Sequence, residues 1–297
     1  MDFRVLKYFL TVAREENITR ASQYLHITQP TLSRQLMQLE EDLGVKLFIR
    51  SNHNILLTNE GMLLKRRAEE MLDLYDKTKE ELSGDNQSLS GRIAIGFGET
   101  QCIIELSKII AGFHKNYPEV TFDFHTGIAS DVKERIESGL TDIGLLIEPV
   151  EISKYNFIKM PRREKWCVLI KKESPLARKN RITARDLVGI PLITAKRKSV
   201  QNELENWFGE YYRQLTIIAT SNVSYSNRSI MVANDIGAAL VHEFPCVNDA
   251  VCLRPLYPEI TNGSFLVWKK NQANSALVNT FIAFAMKYIS GISDDTL

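Results

Sequence analysis

Residues 18–43, ITRASQYLHITQPTLSRQLMQLEEDL, read as two short helices with a tight break between them, and the second is apolar on one side only. Leu32, Leu36, Leu39 and Leu43 recur at spacings of 4, 3 and 4, one face of a 3.6-residue helix. The other face opens with Gln29, Thr31, Ser33, Arg34, Gln35 and Gln38, hydrogen-bonding side chains rather than a plain Glu/Lys solvent face. Gln and Arg pair bidentately with adenine and guanine edges. A cylinder anchored on one side and offering such groups on the other suits the DNA major groove. Thr28 has the hydroxyl to cap this helix, and Pro30 is tolerated in its first turn, where no intrahelical bond is lost. Ala21, Leu25 and Ile27 supply small and apolar contacts for a close helix crossing. By pattern alone, a packed helical hairpin or a protein-binding surface competes with this reading.

The next segment favours DNA. Residues 45–50 (VKLFIR) form a short apolar strand, 51–54 (SNHN) a turn and 55–57 (ILL) a return strand. That is a two-stranded wing after a helix-turn-helix. Arg50 and His53 fall at or near its tip, where a cation gains from the negative potential of the minor groove. His53 taken alone reads equally as an exposed loop histidine.

From Phe3 to Gly61 the chain resembles the N-terminal winged helix-turn-helix of LysR-type transcriptional regulators. The matching pieces are Leu6 to Phe9, Ala21, Leu25, Thr28 to Ser33, Leu39-Glu40, Leu43-Gly44, Leu47-Phe48, Arg50, Leu57-Thr58 and Gly61. The resemblance implies that Gln29, Pro30, Ser33 and Arg34 approach bases and phosphates and that Arg50 serves the wing. Thr31 joins them as a major-groove reader. Two positions depart from the pattern: Ser22 stands where a second alanine is usual, and His53 where the wing often has a second arginine.

A formal net charge of +1 excludes a blanket basic coat, so any attraction to DNA is local. Glu40, Glu41 and Asp42 sit at the far end of the recognition helix, away from Arg34. No stretch approaches the roughly 20 apolar residues of a membrane span, and the N-terminus carries no apolar signal core. The four cysteines, Cys102, Cys167, Cys246 and Cys252, are scattered without zinc spacing. These features predict a cytoplasmic protein with no metal and no cofactor.

Residues 59–84 read as a linker helix capped by Thr58. Leu64, Ala68, Met71, Tyr75, Thr78 and Leu82 recur at 4, 3, 4, 3 and 4, a heptad seam flanked by opposite charges four apart. A helix about 39 Å long cannot bury such a stripe alone. A partner helix from a second copy is expected, the alternative being a later domain of the same chain.

Residues 84–90 (GDNQSLS) are polar and aperiodic and mark a boundary. Beyond them strand and helix alternate at βαβ spacing, implying a mostly parallel sheet covered by helices. The pattern restarts after Met160 and closes with a helix over 275–289. This region resembles the periplasmic-binding-protein-like effector domain of the same regulators. The pieces that carry the likeness include Gly91–Gly96, Tyr117-Pro118, Asp142-Ile143, Pro191 to Ile193, Gly237 and Trp268…Phe281. The expected architecture is an all-α winged helix-turn-helix over 1–58, the linker helix over 59–84, and an α/β effector domain over 91–297. In that domain, subdomain I takes about 91–161 plus 268–297 and subdomain II about 162–267.

In such a fold a ligand lies between the subdomains, at strand ends and helix N-termini. Glu99, Thr100 and Gln101 follow the first strand, and Thr126, Gly127 and Ser130 the second. Across the cleft, Thr194, Lys196 and Ser199 fall in the basic run TAKRKS, with Ser199 as its cap, and Asn222 follows another strand. Helix N-termini with Lys196, Arg197 and Lys198 favour an anionic effector; each lysine alone reads equally as an exposed loop charge. Cys102 at a helix start is a candidate for a lowered thiol pKa and redox sensing, or for a buried small hydrophobe.

The expected protein is therefore not an enzyme: GxSxG, Walker A and HExxH are absent from the chain. It is a regulator of an interrupted palindromic promoter site on double-stranded DNA, responsive to a small molecule. It assembles as a dimer or, as the resemblance implies, a tetramer, with RNA polymerase as a further candidate partner. An exported solute-binding protein is the rival reading that leaves the first 83 residues without a use.

Overall fold

The computed structural model describes residues 2–50, 55–83, 89–245, 248–270 and 274–294. The chain divides into two units, Met1–Gly84 and Asp85–Leu297.

In the first unit α1 (Phe3–Glu15), α2 (Ile18–Tyr24) and α3 (Gln29–Leu43) each begin at a side-chain cap. Asp2 accepts from the Arg4 N–H, Asn17 from Arg20 and Thr28 from Thr31. These bonds satisfy amides that have no partner within the helix. Phe9, Val12, Ala21, Leu32, Leu36, Leu39 and Leu47 form the core between the helices. Leu43, expected as the fourth member of the stripe, is instead 40% exposed. The helix ends there in left-handed Gly44 (φ 68°), beyond the reach of the core.

β1 (Phe48–Arg50) and β2 (Ile55–Leu57) pair antiparallel as the wing. Thr58 Oγ1 then accepts the Gly61 N–H at 2.9 Å and opens α4 (Asn59–Ser83). Gly61 is obligatory, because a Cβ there would lie 2.2 Å from the Leu47 carbonyl oxygen. The seam of α4 finds its cover differently from expectation. Leu64, Ala68 and Met71 join Leu72 in packing against Leu6 and Leu10 of α1. The Tyr75 ring stacks on Phe3 with centroids 4.6 Å apart. Thr78 returns its hydroxyl to the Leu74 carbonyl at 2.7 Å, and the Leu82 side chain lies outside the described residues. Most of the stripe is thus covered by the first helix of the same unit, a pairing that heptad spacing within one helix cannot reveal.

The second unit holds two sheets. The first contains β3 (Gly91–Phe97), β4 (Val120–Thr126), β5 (Ile143–Ile147), β6 (Tyr155–Lys159) and β13 (Ser264–Lys269), in the order β4-β3-β5-β13-β6. Helices α5 (Ile103–Asn116) and α9 (Ala276–Asp294) cover one face through Leu106, Phe113 and Phe281, and α6 (Ala129–Glu137) the other through Val132 and Ile136. The second sheet contains β7 (Glu164–Lys171), β8 (Pro191–Ala195), β9 (Thr216–Ser221), β10 (Ala238–His242), β11 (Val251–Pro255) and β12 (Thr261–Asn262). Its order is β11-β7-β10-β8-β9, with β12 also on β7. Alternate residues of β7 explain its two covers. Val168 and Ile170 face α7 (Lys198–Phe208) with Leu204, while Cys167 and Leu169 face α8 (Tyr225–Ala233) with Val232.

Three expectations need correcting. The sheets are mixed rather than mostly parallel: β13 runs antiparallel to β5 and β6, and β7 to β10 and β11. Strands β7 and β13 directly follow the two crossings between subdomains, so they enter their sheets against the βαβ direction. The chain re-enters subdomain I at Ser264 rather than at 268, and the two crossings are tied by the Met160 N–H to the Ser264 carbonyl at 2.9 Å. Finally, β6, β11 and β12 have no counterpart in the sequence pattern. The first two are edge strands.

Candidate functional site: nucleic-acid interface and ligand cleft

On α3 the buried and exposed faces separate as the spacing requires. Leu32, Leu36 and Leu39 are 0%, 3% and 2% exposed, whereas Gln29, Pro30, Thr31 and Arg34 are exposed and Ser33 is half-buried. Gln29 Nε2 donates to Ser33 Oγ at 2.9 Å, and the hydroxyls of Thr28 and Thr31 lie 2.8 Å apart. These bonds hold a polar surface in place along the first turn and a half. Among the described residues Arg34 takes part in no ion pair, so its guanidinium is available to an acceptor outside the chain. Gln38, by contrast, is turned to Asp42 at 3.0 Å.

The wing is fixed to this helix by a group that the sequence pattern presents as a solvent charge. Glu40 is 8% exposed; its Oε1 accepts the Leu47 N–H at 2.8 Å and the Phe48 N–H at 3.3 Å, and its Oε2 meets Lys46 Nζ at 2.7 Å. Burial opposes the charge, but Lys46 and the two amides outweigh it and hold the carboxyl below its ordinary range. A signal for this does exist: Glu40 stands four residues after Leu36, in line with the apolar stripe. Arg50 ends β1 opposite Ile55; its side chain, and all of His53, lie outside the described residues.

Between the two subdomains of the second unit lies a cleft of about 710 Å³. Its walls are the ends of β5 (Leu145–Ile147) and β10 (Leu240–His242), the Trp166 ring, and the segments that open α6, α7 and α8. Of the residues expected at a ligand, Glu99, Thr126, Gly127, Ser130, Lys196 and Asn222 line it. Thr100, Gln101, Thr194 and Ser199 do not. The start of α5 is already occupied by a carboxylate of the chain. Thr100, 1% exposed, donates its hydroxyl to Glu164, and the N–H groups of Gln101 and Cys102 reach the same carboxylate at 3.1 and 3.2 Å. Thr194 is buried in its own sheet at 6% exposure. Ser199 is no cap, since α7 starts one residue earlier; its hydroxyl points to the Pro149 carbonyl at 3.4 Å.

The same geometry corrects the reading of Cys102. Burial, aided by the nearby Glu164 and Glu105 and only partly offset by the neighbouring Ser264, pushes its thiol up to about 12. It is a buried small side chain at the α5 start rather than an activated thiol.

Arg197, expected to favour an anion, is half-buried and its Nη2 reaches the Ile147 carbonyl at 3.4 Å; burial lowers its pKa against the pull of Glu203. Other cleft residues carried no expectation as ligands. Arg228, one turn into α8, spends Nη2 on the Val223 carbonyl at 2.8 Å, while its Nε is buried with no partner among the described residues. The His242 ring packs tilted against Trp166 with centroids 4.2 Å apart, and both rings converge on Asn262 at the second crossing: Trp166 Nε1 lies 2.6 Å and His242 Nε2 2.9 Å from Asn262 Oδ1. An indole N–H can only donate, so the amide presents its oxygen here and His242 carries its proton on Nε2. The amide nitrogen then donates to Glu203 at 2.5 Å. Burial keeps His242 below its ordinary pKa.

Charge in the cleft is unevenly spent. Glu99 caps α8 through the Tyr225 N–H, and Asp131 accepts the Ile128 N–H at 3.3 Å. The surplus lies with the donors of Lys196, Arg197 and Arg228. Among the described residues no group of three or more His, Cys, Asp or Glu could hold a metal ion, and no helix is long and apolar enough to cross a membrane.

A family model described as LysR substrate binding domain matches residues 86–289, and one described as bacterial regulatory helix-turn-helix protein, lysR family, matches residues 3–62. Among curated relatives, the HTH-type transcriptional activator IlvY of Salmonella typhimurium is 30% identical over 245 residues, covering 82% of this chain and 83% of that protein. The uncharacterized HTH-type transcriptional regulator YybE of Bacillus subtilis is 27% identical over 293 residues, 98% of this chain and 100% of that one. Full-length CbnR complexed with its target DNA aligns with a TM-score of 0.74 at 17% identity, covering 97% of this chain and 100% of that one, a likeness of fold. HinK, a LysR family regulator from Pseudomonas aeruginosa, aligns at 0.57 with 26% identity, covering 97% and 98%.

Proposed function

The chain belongs to the LysR family of bacterial helix-turn-helix transcriptional regulators, and from that premise we propose which of its residues read DNA and which sense an effector. It is a DNA-binding transcriptional regulator with an effector-binding domain. Gln29, Pro30, Thr31 and Arg34 read the major groove of an interrupted palindrome, Ser33 holds Gln29 and a phosphate, and Arg50 and His53 serve the wing. The observation that carries this reading is the polar, exposed face of α3 laid over three buried leucines. Residues 1–58 form the reading module, 59–84 the helix that pairs copies, and 91–297 the sensor. The setting is the cytoplasm, and the cleft binds its ligand without catalysing a reaction on it.

The effector is a small anion held by Arg228 and Arg197. A buried guanidinium N–H without an acceptor is costly, and a carboxylate placed there satisfies it with a charge-assisted bond. Closing on such a ligand shifts one subdomain against the other, with a coupling free energy of about 1–3 kcal/mol, enough to redistribute contacts among half-sites.

A gel shift on promoter DNA tests the first half. Losing one bidentate base contact costs about 1–3 kcal/mol, so Arg34→Ala weakens operator binding roughly 5- to 150-fold. Binding as tight as the parent's means that α3 is not the reader. Thermal shift of the full-length protein against a panel of small acids tests the second half, since a ligand of the native state raises its apparent stability.

A further inference from the structure

Glu99 follows β3 on subdomain I, and α8 opens on subdomain II, 126 positions later in the chain. Glu99 Oε2 nonetheless accepts the N–H of Tyr225, the first residue of α8. The neighbouring amide of Asn227 goes to Ser224 Oγ at 3.3 Å. One turn further stands Arg228, whose Nε is buried without a partner among the described residues; burial lowers its pKa, and Glu99 opposes that only in part. A carboxylate of the chain itself therefore sits at a helix N-terminus, beside a partly spent guanidinium, on the wall of the cleft. That is the environment an external anion seeks.

We propose that Glu99 is a tethered competitor for the acid group of the effector. With the cleft empty, its carboxylate occupies the start of α8 and ties the subdomains together. An anionic effector takes that place, completes Arg228, and releases the tie. This rests on reading the cleft as an anion site. Two properties follow. The apparent affinity for any acid is reduced by the fraction of time Glu99 is seated. A ligand too weakly bound to outcompete it, such as a simple cellular carboxylate, leaves the regulator unswitched, so Glu99 sets specificity.

The test uses full-length parent, Glu99→Ala, Glu99→Asp and Arg228→Ala, titrated with acetate, malonate and benzoate at fixed ionic strength, reading the fluorescence of Trp166 in the cleft wall and thermal stability. If Glu99 is seated about nine-tenths of the time or more, Glu99→Ala binds the probes at least about tenfold more tightly. Aspartate keeps the charge but is one methylene too short to hold the Tyr225 N–H, so Glu99→Asp gains most of that factor. Arg228→Ala loses the binding. Unchanged or weaker binding by Glu99→Ala, or Glu99→Asp at the parent's level, overturns the competitor. If Arg228→Ala still loses binding in that case, the anion site stands without it. Failure of parent and variants alike to bind any probe overturns both. Should the alanine variant not fold, the aspartate variant decides.

Discussion

The carboxylate of Glu40 and the backbone N–H of Leu47 are joined at 2.8 Å, so the last turns of the recognition helix and the first residues of the wing form one piece. Glu40→Ala leaves the buried Leu47 amide without its acceptor, at a cost of about 1–3 kcal/mol. The bond also carries a pH signature. The folded-state pKa of Glu40 is depressed, so its contribution is fully present above the unfolded value of about 4.3 and is lost as pH falls through the folded value. Urea unfolding followed at helix-turn-helix probes is expected to show a shallower acid decline in Glu40→Gln than in the parent. Equal slopes would place the charge elsewhere.

Gly61 makes the second joint. With only 2.2 Å between an added methyl carbon and the Leu47 oxygen, Gly61→Ala forces the start of α4 off the wing. Overpacking of this kind costs about 1–3 kcal/mol. The expected outcome is a lower melting temperature for the first unit together with weaker operator binding, measured by calorimetry and gel shift. A neutral Gly61→Ala would mean that wing and helix are not in register as described.

These joints show which information a sequence exposes. The reading face of α3 is legible because burial of Leu32, Leu36 and Leu39 imposes a period on neighbouring positions. Glu40 passes for a solvent charge despite its place in line with the stripe, because two of its three partners are backbone amides, which no side-chain pattern records. In the effector region the polar loops of Thr126, Gly127 and Asn222 do line the cleft, since strand ends meet there in this topology. Thr100 and Gln101 do not, because Glu164, on the far side of a subdomain crossing, already fills the helix start they open. Arg228 escapes notice for a related reason: a single cation inside a short helix looks like solvent charge until a cleft is seen beside it.

The α4 helix separates two kinds of apolar side chain. Leu64 and Met71 pack on α1, so Leu64→Asp with Met71→Asp is expected to unfold the first unit rather than to yield a clean monomer. Leu63 and Leu74 are 54% and 40% exposed. If α4 pairs copies of the chain through that outer face, Leu63→Asp with Leu74→Asp gives a folded monomer with weak operator affinity. Size-exclusion chromatography and circular dichroism distinguish the cases. An intact dimer from the Leu63/Leu74 variant argues that assembly uses another surface.

The ring of His242 supplies a final prediction, because its folded-state pKa lies below the ordinary histidine value of about 6.5. Below that value the unfolded chain takes up a proton that the folded chain refuses. Stability therefore rises with pH through this window and falls as pH drops from about 6.5 toward the folded pKa. Glu203 acts in the opposite sense: burial raises its pKa, so the folded state holds a proton the unfolded state releases, favouring folding on the acid side. Comparing variants isolates the histidine term. His242→Gln keeps a donor for the Asn262 oxygen and removes the titration. Its unfolding free energy, followed by Trp166 fluorescence, is expected to decline less than the parent's between pH 7 and pH 5, while the two converge at higher pH. A parent and variant that fall in parallel would show that the imidazole takes up protons equally in both states, and that the bond to Asn262 at the crossing does not select its neutral form.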